Sequence, residues 1–160
     1  MKKQMMYWNN GNLVLTPNRV YNKIANNIFI LGLLFLILGL FLFMRLNDFW
    51  QLPLAIGLCM GLPALIYKIT VVQWQVIIPQ GEDIPIVFRL GKLYKCHIYR
   101  KHEVDIVCNT VNGNTFFAIA DKQNPYGKSY QISPFLNKQK TAFIFKEEVL
   151  PIIYEQLNNE

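Results

Sequence analysis

The chain has 160 residues, 52% of them hydrophobic and only 16% charged, with a formal net charge of +6. That charge is uneven, since residues 1–68 carry six Lys or Arg and one acidic residue, whereas 69–160 carry ten and nine. A positive excess confined to the flanks of apolar runs, without a basic helix, zinc-finger spacing or aromatic RNA-binding signature, excludes a nucleic-acid-binding reading and points to membrane topology instead.

The leader, residues 1–16, has apolar segments Met5–Trp8 and Leu13–Leu15 around Asn9-Asn10-Gly11-Asn12, a pattern that suits a small hairpin. Whether it joins a later sheet is open at this level. Thr16-Pro17 reads as a helix start, with Thr16 as N-cap and Pro17 in the first turn.

Residues 17–68 read as a helical hairpin. Ile28–Met44 is uninterrupted apolar sequence, about 26 Å long as a helix and close to the roughly 30 Å of a hydrocarbon core once its polar ends are added. After only Arg45-Leu46-Asn47-Asp48 a second apolar run leads from Phe49 to Lys68. So short a connection joins antiparallel neighbours, which gives spans at about 24–45 and 49–68. Pro53 fits a first turn, and Pro63 is expected to kink or loosen the last one. Gly32 and Gly39 are a heptad apart, and Gly57 and Gly61 form a small-xxx-small pair. All four are expected to serve helix packing, within the hairpin or in a homo-oligomer. Lys2, Lys3, Arg19, Lys23 and Lys68 outweigh Arg45 on the other side, which predicts a plasma (inner) membrane protein with both termini in the cytoplasm.

From Ile69 to Glu160 the pattern changes to short β segments: 69–78, 84–90, 93–99, 104–110, 115–120, 129–133 and 141–145. Gly91-Lys92 and Asn112-Gly113 are turns, as is 79–83 with Glu82-Asp83; a loop at 121–128 holds Asn124-Pro125-Tyr126-Gly127. A helix follows, with Glu147 and Glu148 in its first turn, a stripe of Val149, Leu150, Ile153, Tyr154 and Leu157, and Pro151 placed early enough to be tolerated. The expected class is membrane α+β, a transmembrane hairpin followed by an antiparallel β domain at 69–160 with a C-terminal helix.

About seven strands, a final amphipathic helix and two preceding spans resemble the bacterial membrane-anchored pleckstrin-homology-like (PH-like) proteins, including the YcxB-like group. The best local match is Phe88-Arg89-Leu90-Gly91-Lys92-Leu93-Tyr94-Lys95-Cys96-His97-Ile98-Tyr99. The resemblance implies a lipid-surface or protein-docking module without catalytic residues.

Three groups of side chains are candidates for chemistry. Arg89, Lys92 and Lys95 cluster around one turn and are expected to meet anionic headgroups of the lipid bilayer. Tyr126 is the exposed aromatic best placed to contact a protein partner. Cys96, His97, His102, Glu103, Asp105 and Cys108 tempt a metal reading, but consecutive strand residues point to opposite faces. Pairing Cys96 with Ile106, and Tyr94 with Cys108, puts the two thiols beyond disulfide reach, so free thiols in a reducing compartment and no metal are expected. No nucleophile motif, phosphate loop or paired carboxylates stand out, and no cofactor is expected. The reading is a non-enzymatic, membrane-anchored binding or scaffolding module acting on an unknown membrane or cytoplasmic protein. Its rivals are a membrane immunity or resistance protein against a toxin, and an assembly subunit docking through Gly57/Gly61.

Overall fold

The structure, a computed structural model, describes residues 1–45, 48–81 and 83–158. Leu46 and Asn47 of the interhelical turn and Glu82 of the 79–83 turn lie outside them. The chain is mixed helix and sheet and divides into two compact units, Met1–Val20 with Gln73–Glu160, and Tyr21–Val72.

The Tyr21–Val72 unit is a pair of helices, α2 (Asn22–Met44) and α3 (Gln51–Thr70), whose extended stretches Arg19–Met44 and Asp48–Thr70 are long and apolar enough to cross a membrane. Helix α2 starts at Asn22 rather than at Pro17, with no side-chain cap. The Thr16 hydroxyl instead donates to the Gln4 carbonyl at 2.9 Å, which takes it out of the expected N-cap role. Glycine decides how the helices meet. A methyl on Gly32 would lie 2.7 Å from the Gly61 nitrogen, and one on Gly39 would lie 2.9 Å from the Leu54 nitrogen, so the two backbones are in direct contact there. At the turn end, Phe43 and Trp50 meet edge to face, 5.1 Å between centroids. Helix α3 continues through Pro63 to Thr70, and Thr70 returns its hydroxyl to the Ile66 carbonyl at 2.7 Å.

The other unit opens with α1 (Lys2–Met5) and the strands β1 (Met6–Asn9) and β2 (Asn12–Leu15), and resumes with β3 (Trp74–Ile78), β4 (Val87–Leu90) and β5 (Tyr94–His97). These strands form one antiparallel sheet in the order β1-β2-β3-β4-β5, so the leader does join the sheet and β2 pairs with a strand beyond the helical pair, Leu15 opposite Val76. A second sheet holds β6 (Val104–Val111), β7 (Asn114–Asp121) and β8 (Ser129–Gln131). Both Asn-Gly turns have positive φ at both residues, 50° and 80° at Asn10-Gly11 and 50° and 75° at Asn112-Gly113, the backbone that matches strand twist in a two-residue hairpin.

Two expectations fail here. Strand β5 does not pair with β6: Cys96 stands opposite Phe88 and Cys108 opposite Phe117, in different sheets, because a 3-10 turn at Lys101–Glu103 redirects the chain. The segment 141–145 is helical rather than extended. It lies in α4 (Gln139–Ile144), which runs through a π turn at Phe145–Val149 into α5 (Leu150–Asn158). Pro151 is therefore interior. Lacking an N–H and crowding the carbonyl four residues back, it accounts for the widened turn just before it. Phe145, Val149 and Ile153 are fully buried in the core with Met5, Leu13, Leu15, Val76, Ile78, Ile86, Ile119 and Ile132, and Phe145 stacks on Phe117 at 5.6 Å. The Gln156 amide is buried and donates to the Pro79 carbonyl at 3.0 Å.

Candidate functional site

Strands β4 and β5 alternate strictly. Phe88, Leu90 and Cys96 face the core side with the half-exposed Tyr94 beside them, and Phe88 contacts Trp74, Tyr94 and Tyr130 at ring separations of 4.7, 6.3 and 5.3 Å. The Cys96 thiol beside the Tyr94 hydroxyl pushes the tyrosine pKa up. The Tyr130 hydroxyl, by hydrogen bonding, raises the pKa of Lys128, whose ammonium lies 5.3 Å from the Tyr130 ring. This aromatic packing fixes the hairpin from one side.

The other face carries the charge. Arg89 and Lys95 are direct cross-strand partners, an arrangement that places like charges about 5 Å apart at Cβ and is destabilising unless something neutralises them. Among the described residues neither has an acidic partner. The Arg89 Nε donates to the Gly91 carbonyl at 2.6 Å, which holds the guanidinium along the turn. Gly91 has φ +52°, and a methyl there would sit 2.1 Å from the Gln73 Oε1, so the turn requires glycine. Its amide donates to the Gln73 carbonyl at 3.1 Å. Lys92 follows at the tip and is exposed.

These three cations line one groove of about 560 Å³ whose remaining walls are largely apolar, chiefly Ile77, Ile84, Val87 and Leu93. Ile77 and Val87 are half-buried on the outer face of β3 and β4, while Ile84 and Leu93 are 53% and 70% exposed. The structure thus brings Arg89, Lys92 and Lys95 together along one groove and adds an apolar floor that sequence reasoning missed. The available signal was a large apolar residue directly after each turn, Ile84 after Asp83 and Leu93 after Gly91-Lys92; the sequence reading placed both at the starts of strands, whereas both lie before β4 and β5.

The other candidates are separate. Tyr126 is 99% exposed in the 121–128 loop, which is braced by the Gln123 amide on the Asp121 carboxylate at 2.8 Å and the Gly127 amide on the Asn124 carbonyl at 3.0 Å. Cys59, Cys96 and Cys108 are free thiols. Among the described residues no group of three or more His, Cys, Asp or Glu side chains is placed to hold a metal ion. Gly32, Gly39, Gly57 and Gly61 are all buried in the helical unit, Gly57 and Gly61 against Gly32 of the same chain.

Compared with models of known protein families, with curated proteins and with solved structures, the chain matches none.

Proposed function

We propose that the protein is a non-enzymatic, membrane-anchored binding module: a helical hairpin spans the inner membrane with both termini cytoplasmic, and a PH-like β unit meets an anionic membrane surface through Arg89, Lys92 and Lys95. The membrane reading is supported by how little of the two apolar helices is covered, 11% and 22% of their most hydrophobic windows. A soluble protein would bury such surface. Excess Lys and Arg flanking the helix ends away from the turn supports the orientation. Two antiparallel sheets closed by a long C-terminal helix support the PH-like reading.

The observation that carries the functional reading is the Arg89–Lys95 cross-strand pair, two unneutralised cations held opposite one another beside Lys92. An anionic surface relieves that repulsion, at about 1 kcal/mol per basic residue. The test is amine labelling of the full chain in nanodiscs of phosphatidylcholine with or without phosphatidylglycerol. Lys92 and Lys95 become protected in the anionic discs, while Lys138 and Lys140 do not. Equal labelling in both discs refutes the reading. The close packing of Gly57 on Leu36 and Gly32 of the same chain favours this reading over the rival assembly role through Gly57/Gly61.

A further inference from the structure

The geometry points to a site for one anionic phospholipid molecule in the groove over β3–β5, its phosphate held by Arg89, Lys92 and Lys95 and its glycerol and proximal acyl carbons lying on Ile77, Ile84, Val87 and Leu93. This rests on the reading that the basic hairpin meets an anionic membrane, and goes beyond it: a lipid is seated in the fold as a ligand, rather than attracted as part of a charged surface.

Three observations select that occupant. The first is charge complementarity, since the lining holds three cations and, among the described residues, no carboxylate. The second is the apolar floor. Free phosphate or diffuse surface charge has no use for exposed Ile84 and Leu93, whereas an amphiphile covers them while its headgroup meets the cations. The volume of about 560 Å³ also falls in the range of small-molecule sites, about 300–1,000 Å³. The third separates a lipid from an acidic peptide. The floor at Ile77 and Val87 is the face of β3 and β4, each paired on both sides. Of the groove's strands only β5, the strand of Lys95, is an edge of the sheet, so a peptide added there would run along β5 and away from that floor. A peptide recognised by strand addition needs a free edge. A ligand recognised through charge and apolar contact does not.

The test uses the full chain in a non-ionic detergent, titrated with dioctanoyl phosphatidylglycerol, dioctanoyl phosphatidylcholine, inorganic phosphate or an oligoglutamate peptide, with adducts counted by native mass spectrometry. One phosphatidylglycerol binds, at least about tenfold tighter than phosphatidylcholine, and each of Arg89→Gln, Lys92→Gln and Lys95→Gln weakens it about fivefold. Ile84→Ser with Leu93→Ser, which leaves every cation in place and alters only exposed side chains, weakens it about tenfold or more. Circular dichroism confirms that each variant is folded. Inorganic phosphate binding as tightly as the lipid overturns the proposal in favour of a free-phosphate site, and tighter oligoglutamate binding overturns it in favour of an acidic peptide. If the charge variants weaken binding and the Ile84/Leu93 variant does not, the seated lipid is overturned while the anionic-surface reading stands. If no variant changes binding, both fall.

Discussion

Replacing Gly57 by alanine destabilises the helical pair, while the same replacement at Gly61, one turn away, does not. A methyl on Gly57 would meet Leu36 Cγ at 2.7 Å, Leu36 N at 2.8 Å and Gly32 O at 2.9 Å. Two of those atoms are backbone, at 2.8 and 2.9 Å, so relief requires the helices to separate by about 0.6 Å to reach ordinary contact at 3.4 Å. Overpacking of this kind costs about 1–3 kcal/mol. A methyl on Gly61 meets only the Gly32 Cα, at 4.0 Å, which is ordinary contact. Both replacements gain the same helix propensity, up to about 1 kcal/mol in water, so that contribution cancels in the comparison. The assay is SDS-induced unfolding of the full chain in mild detergent, followed by energy transfer between labels near the free ends of α2 and α3. Gly57→Ala falls at least about 1 kcal/mol below Gly61→Ala, and Gly32→Ala, facing Gly61 backbone at 2.7 and 2.8 Å, behaves like Gly57→Ala. Equal stability of the Gly57 and Gly61 variants refutes the close intrachain contact. A change of oligomeric state in Gly61→Ala would move the small-residue face to an interface between copies.

Phe145→Ala, which empties a fully buried position stacked on Phe117, costs the β unit about 3–5 kcal/mol in chemical denaturation. Phe143→Ala, two residues away and largely exposed, stays within about 0.5 kcal/mol. At Gly113 nothing lies within 4 Å of an added methyl but φ is +75°, so Gly113→Ala costs about 1–2 kcal/mol through backbone strain alone. The unit's melting temperature then falls by about 4–8 °C for each kcal/mol. Cys108 is exposed on β6 and Cys59 on an apolar helix. Under the proposed cytoplasmic placement, a membrane-impermeant maleimide labels Cys108 in inverted vesicles, leaves it untouched in sealed right-side-out cells, and leaves Cys59 unlabelled in both. Labelling of Cys108 in sealed cells refutes the cytoplasmic placement.

What could be read from the sequence was local. The apolar runs, their glycines and the Asn112-Gly113 turn are short-range patterns, and the elements lie where those patterns put them, within a few residues at their ends. Three things were decided by long-range packing. Thr141–Phe145 has the β-branched and aromatic composition of a strand, yet it is helical because Phe145 docks on Phe117. Apolar matching between β5 and β6 looked as good as the true pairings, since period-two alternation specifies a face and not a partner. The groove needed both kinds of information. Its cations were legible as a cluster, but Ile77 and Ile84 reach it from β3 and from the segment before β4, and only the fold shows that they share a floor with Leu93.

The pairing of β2 with β3 constrains topology independently of charge bias. Leu13, Val14 and Leu15 stand opposite Ile78, Ile77 and Val76, although the whole helical pair intervenes in sequence. Leu13, Leu15, Val76 and Ile78 are fully buried in the same core, so this rung is central to the sheet rather than an edge association. Two strands hydrogen-bonded in one sheet must lie on the same side of any bilayer, because an unpaired strand cannot remain within hydrocarbon. A segment between them that enters a bilayer therefore crosses it an even number of times. A signal-anchor arrangement, with the first apolar helix crossing and the second lying on the surface, would put β1 and β2 on the opposite side from β3. That would strip the leader's buried Met5, Leu13 and Leu15 of their partners. Those side chains are stabilised, at about 1.5–3 kcal/mol each, only if both helices cross or neither does. Under the proposed membrane reading, the apolar length left uncovered in both helices favours crossing by both, the arrangement that satisfies sheet and hairpin together.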